Sequence, residues 1–240
     1  MMSKYFYTDD NLEVPAITTE QMVEIDRIAI EETGPNLFQM MENAGRNLTL
    51  KVMELIADIS NPVIVILGGI GGNGGGGIAA ARHLLNRNYN VKLAVTDNLK
   101  IKDVPFSQLE IFRNADGILI ENLNDIKADI IVDAIIGYSM TGVPRGNSLQ
   151  FIQWANTQTA RKISLDIPSG IDSTSGEHYG EYFHTESTLT LALPKTGLSE
   201  TKCGKLFLGD IGIPKVAYDR IGIDYFSPFK NRFVVELNYK

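Results

Sequence analysis

The sequence holds 240 residues, 44% of them apolar and 21% charged, a balance that suits an α/β protein burying about three quarters of its unfolded surface. Its formal charge of −7 and pI near 5.0 argue against a general nucleic-acid surface, which is normally basic. A lone cysteine, Cys203, excludes an internal disulfide and a cysteine-rich zinc site, and reads as a small filler residue. No apolar run approaches the ~20 residues of a membrane span and the first residues lack a secretory apolar core, so a cytoplasmic protein is expected.

Residues 1–16 are mixed and unperiodic and read as a loosely attached arm, with 17–240 as one domain. Thr18 and Gln21 have capping-box spacing, which predicts a helix from Thr19 to about Glu32, stopped by Gly34-Pro35. Asn36 caps a second helix whose apolar positions run from Leu37 and Met40 to Leu55 and Ile56 at 3–4 spacing. Val63–Leu67 is an uninterrupted apolar strand that enters Gly68–Gly77, ten residues with eight glycines, before a helix from Ile78 to about Arg87. Further strands are predicted at 91–95, 117–120, 130–136, 162–167, 187–193, 205–210 and 232–237, with helices at 105–113, 148–158 and 214–221. Strands alternating with helices imply a mostly parallel, doubly wound sheet.

Glycines at the first strand end permit positive φ and close approach of a ligand to the main chain, and N–H groups at a helix start attract anions. A phosphate-binding loop is therefore expected there. A P-loop is excluded, since no Lys-Ser/Thr follows the glycines. Gly69, Gly71 and Gly74 satisfy G-x-G-x-x-G, and Asp97 stands where a ribose-binding carboxylate would, which leaves a nicotinamide-dependent dehydrogenase open. Two more strand ends carry polar sequence, 133–145 and 166–172, and in an open parallel sheet ligands bind outside such ends. Asp133 lies inside an apolar strand and is either a structural acceptor or a cation ligand. Asp166 comes at the end of its strand, directly before Ile167-Pro168-Ser169-Gly170, and suits acid/base work, with a self-bonded turn as the alternative. The oxygens of Asp133 and Ser169, with the Asn73 amide, suit a cation of no particular identity. His83, His178 and His184 lack metal-ligand spacing.

Six segments in order, MMENAGR (40–46), the glycine loop, VDAIIG (132–137), DIPSGID (166–172), LALPKTGL (191–198) and LGDIGIP (208–214), make the chain similar to the NAD(P)H-hydrate epimerase family, the YjeF N-terminal type of domain. The resemblance runs from about Thr18 to Ile223. It implies a Rossmann-like three-layer αβα sandwich, a dimer, and interconversion of the C6 epimers of hydrated NADH or NADPH. A separate dehydratase repairs one of those epimers. By position, Gly72, Asn73, Gly74, Gly75 and Gly76 contact the dinucleotide, as do Gly137, Tyr138, Ser139, Met140, Thr141, Gly142 and Val143. Asp166 matches the carboxylate at the reacting ring, and Asn73, Asp133 and Ser169 match ligands to one potassium ion per subunit. The glycine loop departs from the family's N-N-G-G-D-G at Gly72 and Gly76, and Thr141 replaces the usual Lys or Arg. Those departures keep a second reading open, a catalytically impaired nucleotide-binding or dimeric scaffold module.

Overall fold

A computed structural model describes residues 4–239; residues 1–3 of the expected arm and Lys240 lie outside the described residues. Ten strands form one sheet: β1 (Tyr5–Thr8), β2 (Glu13–Pro15), β3 (Val63–Gly68), β4 (Asn90–Val95), β5 (Ile118–Leu119), β6 (Ile130–Ala134), β7 (Arg161–Leu165), β8 (Ser187–Leu191), β9 (Lys205–Gly209) and β10 (Val234–Asn238). Their spatial order is β2-β1-β10-β9-β8-β7-β6-β3-β4-β5. From β9 through β5 every pairing is parallel, and the β10 side is antiparallel. The chain winds outward from β3 in both directions, so the strand order reverses between β3 and β6.

The helices are α1 (Thr19–Ile28), which runs into a π-helical turn (Ala29–Thr33), α2 (Leu37–Leu55), α3 (Gly72–Leu85), α4 (Asp103–Asn114), α5 (Gly146–Thr157), α6 (Glu200–Cys203) and α7 (Lys215–Asp219). Both predicted N-caps form. Thr18 and Gln21 bond reciprocally, as do Asn36 and Gln39, which satisfies backbone donors that a helix start leaves open.

Alternation along β3 assigns the faces. Ile64 and Ile66 pack with Leu48 of α2, Leu84 of α3 and Phe112 of α4, while Val65 and Leu67 pack with Ile152 and Ala155 of α5. A third cluster joins α1 to β9, β10 and α7. Helices thus cover both sides of a mostly parallel sheet, the expected three-layer arrangement.

Residues 5–15 are not a loose arm. β1 pairs with β2 on one side and with β10 on the other, and Phe6 and Val14 are buried in the third cluster. Two strands of three and four residues are too short for their alternation to be read from sequence. The expected helix from Ile78 also begins earlier, at Gly72. No residue from Gly68 to Gly77 has positive φ, and Gly69 and Gly74 to Gly77 serve close packing rather than a left-handed turn. Phe6→Ala should lower unfolding free energy by about 3–5 kcal/mol, read as a shifted midpoint in urea with an unchanged slope. A loss below about 1 kcal/mol would mean that the terminal strand contributes little.

Candidate active site

A cavity of about 780 Å³ opens at the carboxyl ends of the strands, across the β3/β6 reversal. Its floor carries Gly69 to Asn73, where β3 hands over to α3. Gly71 is the N-cap of α3 and offers no capping side chain, so the first N–H groups of the helix stay available to an anion. The helix reaches that position because from Gly72 to Gly77 only Asn73 carries a side chain. A Cβ on Gly74 would collide with the Gly69 carbonyl oxygen, and one on Gly77 with Ala134. Gly72 and Asn73 face the cavity, whereas Gly74, Gly75 and Gly76 are buried behind it. A Cβ on Gly76 would stand 3.0 Å from Leu165 Cδ2 and 3.5 Å from Ala44, so an aspartate here would enter hydrocarbon.

Asp166, one residue beyond β7, lines the same cavity. Its φ of +68° lies in the left-handed region, which aspartate tolerates better than most residues. The self-bonded turn is not what forms. Oδ2 of Asp166 accepts the Tyr138 backbone N–H at 3.0 Å, and Oδ1 accepts from Lys195 Nζ. Asp172, by contrast, does bond its own loop at Thr174 and Ser175. The Lys195 and Asp166 side chains are only 1% and 5% exposed, and Lys195 Nζ also donates to Leu191 O at 2.8 Å. Tyr138 extends the cluster, its hydroxyl donating to Asp26 Oδ2 of α1 at 2.6 Å. Burial raises the pKa of Asp26, against the Tyr138 hydrogen bond and the charge of Lys195.

Lys195 and Asp26 did not stand out in the sequence. Each left a faint signal. Lys195 is a cation just past the end of β8, next to the strand that delivers Asp166, and Asp26 is a carboxylate four residues after Met22 on the apolar side of α1.

Asp133 is fully buried at the centre of the sheet. Its Oδ1 accepts from Ser169 Oγ at 2.6 Å and Ile135 N at 3.2 Å, and its Oδ2 from Ser169 N at 2.8 Å and Ser164 Oγ at 3.0 Å. All four donors are neutral, and burial pushes its carboxyl up to about 6. Ser169 Oγ in turn accepts the Ile136 N–H at 2.8 Å and stands 3.2 Å from Ile136 O. Neither Asp133 nor Ser169 lines the cavity, whereas Asn73 does, and its buried Nδ2 lacks a hydrogen-bond partner.

The set fits a monovalent hard cation. It offers oxygens and one full negative charge without a counter-charge, and the Ser164 and Ser169 hydroxyls can turn their protons away to free a lone pair on each carboxylate oxygen. Among the described residues, no group of three or more His, Cys, Asp or Glu gathers to hold a metal.

Of the second loop, Gly137, Tyr138 and Ser139 line the cavity, while Met140, Thr141, Gly142 and Val143 lie outside its lining. Thr141, Gly142 and Val143 are exposed. Arg145, at the N-cap of α5, lines the cavity as well. The histidines lie elsewhere: His83 contacts Glu42 between α2 and α3, and His178 and His184 pack on Tyr182. Cys203 is buried, and burial pushes its thiol up to about 11, which suits packing rather than nucleophilic attack.

Fold and cleft together define a doubly wound, Rossmann-like α/β protein in which an uncapped helix start and a buried, ion-paired carboxylate share one ligand cavity. Residues 37–197 match the family model described as YjeF-related protein N-terminus, and the chain belongs to that family. A relative in Dehalogenimonas lykanthroporepellens named NAD(P)H-hydrate epimerase is 45% identical over 240 residues, which cover 98% of each chain. A Salinibacter ruber protein named bifunctional NAD(P)H-hydrate repair enzyme is 30% identical over 228 residues, 86% of this chain and 42% of that longer one. The crystal structure of a yeast protein superposes with a TM-score of 0.81 at 20% identity, covering 92% of this chain and 99% of that one, a likeness of fold.

Lys195→Met should destabilise the protein by about 3–5 kcal/mol, because it strands a buried carboxylate. Adding Asp166→Asn should recover most of that loss. Equal and additive losses in a double-mutant cycle would show that the two groups are not coupled.

Proposed function

We propose that this chain epimerises the C6 hydroxyl of hydrated NADH or NADPH. The observation that carries the reading is the shared cavity: the N-terminus of α3 opens onto the space whose wall holds Asp166. A dinucleotide's pyrophosphate would lie on the free N–H groups of Gly72 and Asn73, with Arg145 as a further cation nearby. The hydrated ring then falls beside Asp166. The names of the relatives support the substrate class.

Loss of the C6 hydroxyl as water needs one proton at that oxygen. Return of water from the opposite face releases one, so the acid/base group ends each cycle as it began. Asp166 is the carboxyl placed for that exchange. Lys195 and the Tyr138 N–H balance its negative charge while the proton is on the substrate, and the apolar walls of Leu37, Met40 and Met41 limit access of bulk water. Thr141 contributes no charge to this scheme.

A potassium ion, one per subunit, would be held by Asn73, Asp133 and Ser169. It would supply the positive charge that buried Asp133 lacks and would brace the loops that carry Gly137 and Asp166. Exposed Val23, Ile30 and Val216, on packed neighbours α1, the π-helical turn and α7, support a homodimer. Among the described residues no helix is long and apolar enough to cross a membrane, and we place the protein in the cytoplasm, where a separate dehydratase would consume its product.

With equilibrated hydrates and an excess of stereospecific dehydratase, the protein should abolish the slow phase of repair, and Asp166→Asn should lower its kcat by about 10²–10⁴-fold. An unaccelerated slow phase with wild-type protein would leave the scaffold reading in its place. Potassium, against sodium at equal ionic strength, should raise Tm, and Asp133→Asn should remove that response. A Tm indifferent to potassium would reject the cation site.

A further inference from the structure

Three steps separate β7 from β4 in the sheet, by way of β6 and β3. At the usual strand spacing that is about 14 Å. Asp166 follows β7, the start of α3 follows β3, and Asp97 follows β4; all three line the main cavity. With the ring at Asp166 and the pyrophosphate on α3, a dinucleotide that continues in the same direction runs on over β4. There it meets a second cavity of about 340 Å³, which shares Thr96, Asp97 and Asn147 with the first. Leu119 and Phe151 contribute to its apolar lining.

The charge around this second cavity is one-sided. Asp97 and Glu121 line it, and among the described residues it has no lysine or arginine. Lys100, which lines the main cavity, is already paired with Asp97 at 2.8 Å. A ribose with free 2′- and 3′-hydroxyls would donate to the Asp97 carboxylate, the use such an acid has after the second strand of a dinucleotide fold. A 2′-phosphate would bring about two negative charges against two carboxylates, with no lysine or arginine in the lining of this cavity to receive them.

We infer that the smaller cavity is an adenosine subsite and that Asp97 is a specificity-determining residue, which selects the hydrate of NADH over that of NADPH. The inference rests on the placement of the ring at Asp166 proposed above.

The test measures kcat/KM for NADH hydrate and NADPH hydrate separately, with wild-type protein and with Asp97→Ser. Wild type should favour the NADH form by at least about tenfold, and the variant should bring the ratio near one by freeing Lys100 for the phosphate. Asp97 is part-exposed, so the substitution leaves the core untouched. Equal use of both hydrates by wild type, or a ratio that Asp97→Ser does not move, overturns the assignment. Calorimetric titration with ADP-ribose and 2′-phospho-ADP-ribose separates this inference from the catalytic reading. Tighter binding of ADP-ribose to an inactive protein would uphold the subsite while the epimerase proposal fails. No preference, or no binding of either, would reject the subsite.

Discussion

The approach of α3 to the sheet sets where everything else can stand. Four successive glycines, Gly74 to Gly77, run from its first turn into its second, each costing about 1 kcal/mol against alanine in a helix interior. What they permit is contact that side chains would forbid: Gly74 against the Gly69 carbonyl, Gly75 with its missing Cβ 2.5 Å from Met41 Sδ, and Gly77 against Ala134. Gly45 of α2 meets Ala79 of α3 in the same manner. Three layers are drawn together at one point, and the start of α3 is fixed at the place where the strand order reverses. A bulkier helix would stand off the sheet, and its free N–H groups would no longer share a cavity with the end of β7.

Around that fixed point the polar groups are arranged by cost of burial. A lysine and an aspartate taken out of water attract strongly but lose most of the gain to desolvation. They persist here with further bonds to the Tyr138 N–H and the Leu191 carbonyl. Asp133 is handled differently, with four neutral donors and no charge partner. One carboxylate is thus neutralised within the protein, and the other carries a net charge in the interior. The contrast separates the two aspartates, one just past β7 and one inside β6, into an ion-paired group on the cavity wall and a deeper anchor for the Ser169 loop.

Much of this was legible from residue order because the parallel strands are buried on both faces. Val63–Leu67 is a continuous apolar run and Ile130–Ile136 is one broken only by Asp133, and each ends at a glycine on the edge where ligands gather. Asp166 could be singled out because a carboxyl at the end of a parallel strand faces the edge where ligands gather. The helical start at Gly72 was not legible, since glycine propensity argues against helix and only tertiary contact reverses it. Lys195 escaped notice for a related reason. A single cation between Pro194 and Thr196 has no periodicity, and its partner lies 29 positions away. Short β1 and β2 mix Tyr, Thr and Glu with apolar residues, as sheet margins do, and their role appears only once β10 is beside them.

That pairing of β1 with β10 bears on how the chain is made. Tyr7 stands opposite Asn238, and Thr8 opposite Leu237, so a segment made early waits for one made much later. Until then Phe6 has no complete hydrophobic seat, and contacts of such long sequence separation form slowly. The parallel strands from β3 to β9 can assemble during synthesis, while the antiparallel margin closes only once β10 has been made. A nascent chain stalled before residue 234 would therefore carry an unpaired, sticky leading edge, a natural target for a chaperone.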